Sequence, residues 1–230
     1  MSKKKIVALT GAGISAESGI ATFRDSDGLW ERYSVEEVAS ADGYRRNPQL
    51  VIDFANDRRE QCVKAQPNEG HLLLAKLEED YDVTIITQNI DDLHERAGSS
   101  HVIHLHGELM KCCSEGDLST PLPLPQGRLR MTLDDKAEDG SQLRPFIVYF
   151  GEPVPRMEEA IAKTERADIF LIIGTSLNVY PAAGLVRFVP RGTPVYVIDP
   201  QEVPGSDQFE HIQMGAGKGM AELIKRLNND

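Results

Sequence analysis

Six short apolar runs rich in Ile and Val punctuate the chain: KIVALT at 5–10, VTIIT at 83–87, VIHLH at 102–106, PFIVYF at 145–150, IFLIIGT at 169–175 and VYVID at 195–199. They are continuous rather than alternating. A strand with one face in water alternates apolar and polar residues, so continuous runs predict strands buried on both faces of a parallel sheet. Helical patterns lie between them. NPQLVIDFANDRREQCVKA opens with Asn47 as N-cap and Pro48 at the first helical position. Asn68 heads NEGHLLLAKLEED in the same way, and DDLHERAG closes on Gly98, a residue suited to the position after a helix. PAAGLVRFV and GMAELIKRL complete the set. This alternation predicts an α/β fold: a doubly wound, Rossmann-like parallel sheet.

Two stretches break the alternation. Residues 31–80 are helical, and residues 111–144 are polar and acidic with PLPLP inside. Together they are expected to form a smaller, partly helical second lobe of one domain spanning 1–230. The sheet then takes 1–30, 81–110 and 145–230. Stretch 111–144 has few core-forming residues and is expected to be partly mobile.

Composition removes several function classes. The net charge is −11, with no basic cluster beyond Lys3–Lys5, which argues against nucleic acid as a partner. The same charge favours a cationic partner such as a lysine-bearing protein tail. No apolar run reaches the ~18 residues of a membrane span. The N-terminus enters a strand with no leader pattern, so a cytoplasmic protein is expected; a monomer is expected as well. Three cysteines, two of them adjacent, make no disulfide framework.

Ligands of open α/β sheets sit beyond the carboxyl ends of the strands. The residues following the runs are Gly11-Ala12-Gly13, then Gln88-Asn89-Ile90-Asp91-Asp92, then His106-Gly107-Glu108, then Gly174-Thr175-Ser176, and Asp199. Any one of these groups is ordinary turn chemistry. Five at one edge point to a binding site. The first glycines free backbone N–H groups for a pyrophosphate. Their spacing, G-x-G-x-x-x-x-x-G, departs from the dinucleotide fingerprint G-x-G-x-x-G, so the glycines alone decide little.

The blocks taken in order are more specific: GAGISAESGIATFRDSDGLW, TQNIDDLHERAG, HLHGEL, FGE, GTSLNVYPAAGL and a late GAG. This series resembles the sirtuins, NAD-dependent protein-lysine deacylases, and most of all bacterial sirtuins of the desuccinylase-like class. The resemblance covers nearly the whole chain. It implies NAD as cofactor and acyl-lysine proteins or peptides as partners. The implied products are free lysine, nicotinamide and O-acyl-ADP-ribose.

Further roles follow from the same resemblance. His106 is implied as the general base, with Asn89 and Asp91 also catalytic. A neutral imidazole near its ordinary pKa of ~6.5 can take a ribose proton at pH 7. Gly11, Ala12, Gly13, Ser15, Phe23, Arg24, Gln88, Asn89, Asp91, Gly174, Thr175, Ser176, Asp199 and Ala216 are implied as cofactor contacts, with Phe23 shielding the reacting ribose carbon. Phe150 and Gly151 are implied on the substrate side. The other histidines are read as structural. Mono-ADP-ribosyl transfer, or NAD and ADP-ribose binding without catalysis, stay open as alternatives.

Two features concern specificity and metal. Val51, Ala55, Arg58 and Cys62 fall on one helical stripe, which places Arg58 on a small apolar face. It then needs an anion, or it is locally paired or snorkelling. In desuccinylase-like sirtuins a Tyr-x-x-Arg pair on this helix holds an acyl carboxylate. This chain keeps Arg58 and has Ala55 for the Tyr, with Ala39 implied as another small lining residue. The pocket is then roomy, cationic and short of one hydroxyl donor: acetyl- and acidic acyl-lysines such as succinyl or malonyl are expected, with a bulkier acyl chain as a further candidate. Most sirtuins bind a structural zinc with four cysteines, and here only Cys112 and Cys113 lie in that region. No metal site is expected.

Overall fold

The computed structural model describes residues 3–20, 33–203, 205 and 208–228. Among them the six-stranded sheet is built from β1 (Lys5–Thr10), β2 (Asp82–Thr87), β3 (Val102–His104), β7 (Ile169–Ile173), β8 (Val195–Ile198) and β9 (Glu210–Ile212). Every pairing in it is parallel, in the order β3-β2-β1-β7-β8-β9. The chain leaves β1 towards one edge and returns through β7 to build the other. β1 and β7 therefore flank the crevice where such sheets bind ligands.

The continuous apolar runs now have a physical cause. Ile6, Ala8, Val83, Ile85, Leu171 and Ile198 pack on one face, against Leu74, Met220 and Leu223. Val7, Leu9, Ile86, Phe170, Ile172 and Val197 pack on the other, against Ala160, Ala182 and Leu185. Successive side chains point to opposite faces, and each face meets a core. Each fully buried Ile, Leu or Phe contributes roughly 1.5–3 kcal/mol, so burial on both faces supports the hydrogen-bonded ladders of this sheet.

Helices α1 (Ala12–Ala16), α2 (Val35–Val38), α3 (Ala41–Arg46), α4 (Pro48–Lys64) and α5 (Glu69–Lys76) separate β1 from β2. Asn47 caps α4 by accepting from Leu50 N, with Pro48 at its start, and Asn68 caps α5. A short helix, α6 (Leu93–Arg96), follows β2, and Gly98 beyond it has φ +102. Further α-helices among the described residues are α7 (Met157–Thr164) and α8 (Ala216–Leu227). Stretch 182–188 is a 3-10 helix rather than an α-helix.

A second sheet corrects the sequence expectation. Strands β4 (Gly107–Ser114), β5 (Asp117–Pro123) and β6 (Leu143–Ile147) form an antiparallel sheet in the order β5-β4-β6. PFIVYF thus contributes to this sheet and not to the parallel one. Its Ile147 and Tyr149, with the nearby Leu143, join Tyr44, Val51, Ile52, Cys112 and Met131 in a separate core. Residues 111–144, expected to have few core-formers, put Cys112, Met131 and Leu143 inside it. Helix α5, expected with the small lobe, buries Leu74 against the parallel sheet. No helix among the described residues is long and apolar enough to cross a membrane.

Candidate active site

At the carboxyl edge the loops after β1 and β7 touch. Gly13 N donates to Gly174 O at 2.8 Å, and a Cβ on Gly13 would lie 2.7 Å from Gly174 Cα. Gly174 itself has φ +62. Only glycine at these two positions allows the backbones to meet. Gln88, just after β2, donates to Thr175 Oγ1 at 3.0 Å, so three strand ends are tied together.

Ser15 lies at the centre, buried. Its hydroxyl donates to Asp91 Oδ2 at 3.0 Å and accepts from Asn89 Nδ2 at 3.1 Å. The same Asn89 amide reaches Gly11 O at 3.1 Å, and Leu93 N donates to Asp91 Oδ1 at 3.2 Å. Burial pushes the Asp91 carboxyl up, against the bonds from Leu93 and Ser15. His71 stands behind Ser15. Its Nδ1 accepts from Asn68 N, so Nε2 carries the proton facing Ser15 Oγ at 3.5 Å. Burial pushes His71 down to about 4, and His94, ring to ring with it at 4.9 Å, lies well below the ordinary value through burial, then His71 and His104. Both are neutral packing groups at pH 7.

His106 follows β3 and is half-buried. Its Nδ1 lies 3.0 Å from Gln88 O. A carbonyl only accepts, so Nδ1 carries the proton and Nε2 presents a lone pair. Nε2 has no hydrogen-bond partner among the described residues. Burial lowers the His106 pKa, opposed by the Gln88 carbonyl, so the base is free at neutral pH. Asp199, buried at the end of β8, accepts from Gln201 N at 2.9 Å. Ser176 is half-buried beside Thr175. Ala216 opens α8 and is buried against Gly70, while its neighbour Gly217 N donates to Glu17 Oε1 at 3.3 Å. The expected contacts Phe23 and Arg24 lie outside the described residues.

The residues expected on the substrate side come from distant segments. Phe150 N donates to Ala39 O at 2.9 Å and Ala41 N to Phe150 O at 3.0 Å, with Ser40 paired to Phe150 in parallel. Phe150 is half exposed, and Gly151 has φ +92, a conformation that favours glycine. Behind this turn Arg144 makes a bidentate pair with Glu152 at 2.7 and 3.0 Å. Glu152 also accepts from Tyr149 N. The Arg144 guanidinium lies 4.2 Å from the Tyr149 ring centre.

On α4, Ala55 is buried among Ile20, Cys62, Leu93 and Leu109. Arg58 is half-buried: burial lowers its pKa, while Cys62 and Asp91 favour its charge. The sequence stripe missed the fully buried arginine next to it. Arg59 donates to Leu109 O at 2.7 Å and to Asn56 Oδ1 at 2.8 Å, with burial pushing it down to about 10.

The two neighbouring cysteines do not fit a zinc site. Cys112 Sγ donates to Pro123 O at 3.0 Å, whereas Cys113 Sγ faces Pro145 O on the other neighbouring strand. Burial raises both thiols, Cys113 to about 11, and a structural zinc site takes four ligands in tetrahedral array. Among the described residues no group of three or more His, Cys, Asp or Glu could hold a metal ion.

A parallel sheet with a glycine-lined crevice, a buried Ser-Asn-Asp network and a histidine with one ring nitrogen unpartnered among the described residues defines a nucleotide-handling α/β site. The chain belongs to the Sir2 family, whose model matches residues 11–181. It is 57% identical to an NAD-dependent protein deacylase of Bacteroides thetaiotaomicron over 97% of this chain and 98% of that protein. It is 54% identical to one of Helicobacter pylori, over 97% of each. A solved Sir2 homologue–NAD complex is 40% identical with a TM-score of 0.87, matching 99% of this chain and 90% of that one.

Proposed function

We infer that this chain is an NAD-dependent protein-lysine deacylase with His106 as its general base. One observation carries the assignment of the base: Nδ1 is committed to Gln88 O, so the lone pair of Nε2 is presented at the sheet edge. The donor set suits the dinucleotide. Gly11, Ala12, Gly13, Ser15, Gly174, Thr175 and Ser176 would hold its phosphates and adjoining ribose, with Asp199 as an acceptor for ribose hydroxyls. Gln88, Asn89 and Asp91 would surround the nicotinamide end. Bound NAD supplies a ribose carbon that takes the acyl oxygen as nicotinamide leaves.

The protein's own residues then have defined tasks. Ser15, Asn89 and Asp91 hold one another, so their polar groups are oriented before any ligand arrives. His106 takes a proton at Nε2. Ala39 and Phe150 bring two backbone segments to the substrate side. The acidic surface steers a lysine-bearing peptide towards the site. Arg58, on the α4 wall in the field of Asp91, is suited to the carboxylate of a succinyl- or malonyl-type chain.

The test is a panel of acetyl-, succinyl- and malonyl-lysine peptides with NAD, read by mass spectrometry. Free lysine, nicotinamide and O-acyl-ADP-ribose in equal amounts are expected. Nicotinamide without the acylated product would replace this reading by NAD hydrolysis or ADP-ribosyl transfer. No turnover at all would leave a binding module.

A further inference from the structure

We propose that His104, as an imidazolium held between Asn89 and Glu95, is a positioning residue that clamps the loop carrying Asn89 and Asp91, and that loss of its proton sets the alkaline limit of activity.

The need for a clamp comes from the sheet. The β2–β3 ladder ends at the Thr87–His104 pair, after which Leu105 N makes one more bond to Thr87 O. The chain then turns away at Gln88, and the next two carbonyls of β2's exit meet imidazoles. Gln88 O meets His106 Nδ1, and Asn89 O meets His104 Nδ1, both at 3.0 Å. The two histidines, two residues apart, have different second partners. His106 leaves Nε2 without a partner among the described residues. His104 places Nε2 2.8 Å from Glu95 Oε1 on α6. One buried ring therefore joins the start of the loop, at Asn89, to the helix that ends it, at Glu95.

Both partners of His104 are acceptors. A carbonyl oxygen and a carboxylate each require an N–H, and only the imidazolium has two. A neutral ring with its proton on Nδ1 turns a lone pair towards Glu95. With the proton on Nε2, the buried Asn89 carbonyl loses its donor. Either change releases one end of the loop.

The charged surroundings agree with a retained proton. Glu95 on α6, Glu108 on β4 and Asp91 in the loop are the acidic groups that act on the ring or are acted on by it. His94, the basic neighbour, is kept neutral by its burial. Burial lowers the His104 pKa, but the bond and charge of Glu95, with the Asn89 carbonyl and Glu108, outweigh it, and the net shift is upward. The sign follows. The clamp is complete below ~6.5 and is lost as pH rises through the raised folded pKa. His106 shifts the opposite way and must be neutral to act. Activity is therefore bounded on the acid side by His106 and on the alkaline side by His104.

The kinetic arm rests on the deacylase reading, and the spectroscopic arm does not. The His104 ring is titrated by NMR in the full chain, assigned by comparison with His104→Gln. It should hold its proton above the ordinary histidine value in wild type and lose it at lower pH in Glu95→Gln. With NAD and acetyl-lysine peptide, Glu95→Gln should move the alkaline limb of kcat/KM to lower pH and leave the acid limb in place. His104→Gln, whose single amide nitrogen cannot serve both ends of the loop, should flatten the alkaline limb and raise KM for NAD by about tenfold, with a smaller change in kcat. Should His104→Gln fail to fold, the half-exposed Glu95→Gln site still decides. A His104 ring that titrates at or below the ordinary value, or an alkaline limb unmoved in Glu95→Gln, overturns the proposal. Absence of deacylation in wild type would count against the deacylase reading, and the ring titration would still judge the clamp.

Discussion

The two sheets of this molecule are stabilised by different means. The parallel sheet is apolar on both faces, and Ile6, Leu9, Phe170, Leu171, Ile172 and Ile173 are fully buried. Its polar residues collect at one edge, where they face each other and the crevice. The antiparallel sheet has a smaller core and depends on polar side chains. Arg144 and Glu152 pair inside it, Asn56 Nδ2 donates to Met131 O while Asn56 Oδ1 accepts from Met131 N, and Tyr44 donates to Glu115. The first sheet leaves its polar groups for chemistry, and the second uses them to hold its own shape. Mutations at the two sheets should accordingly fail in different ways: loss of rate at one, loss of stability at the other.

The largest test is His106→Ala at the edge of the parallel sheet. Removing a general base lowers kcat by about 10²–10⁴-fold, and the thermal unfolding curve should overlay that of wild type. A rate within about threefold of wild type would exclude His106 as the base. Next in size is Arg144→Met in the small sheet. It leaves Glu152 without its buried partner, a loss of about 3–5 kcal/mol in urea unfolding. The double variant Arg144→Met/Glu152→Met should recover much of that loss, because no unpaired charge remains. If Arg144→Met unfolds at the wild-type urea concentration, the contrast between the sheets fails. Smallest is Arg58→Met, which lies between them on α4. A charge-assisted hydrogen bond is worth ~1.5–3 kcal/mol, so the succinyl-to-acetyl ratio of kcat/KM should fall by roughly 10- to 150-fold. Asp91 already draws on the charge of Arg58, which favours the lower end. An unchanged ratio would make Arg58 structural and leave the deacylase reading intact.

The same contrast explains what the sequence made legible. Strands buried on both faces leave continuous Ile and Val runs, and turns at their ends carry recognisable residues, so β1, β2, β7 and β8 could be read directly. PFIVYF has the same composition but runs antiparallel, because its partner is β4 of the small sheet and composition does not encode partner. Strand β9 was missed: Glu210, His211 and Ile212 make an edge strand too short and too polar to register. Stretch 111–144 looked weak because its order rests on pairs such as Asn56–Met131, which join residues far apart in the chain. Within the site, residue types at the strand ends were legible. The backing histidines His71, His94 and His104 were read as structural, and no local pattern could reveal that they touch Ser15, Thr10 and Asn89. Arg58 and Arg59 are adjacent, and helical spacing alone favoured the less buried of the two.

The hydroxyl of Ser15 accepts from Asn89, faces the N–H of His71 and donates to Asp91. Seen as a matter of timing, such a group has no choice left to make. Its proton has one direction to point, fixed when the chain folds rather than when a nucleotide arrives. The interior of the site is thus inherited from folding. On the proposed reading, outer residues such as Arg58 and Phe150 can change to suit one acyl chain or another without rebuilding what lies beneath them.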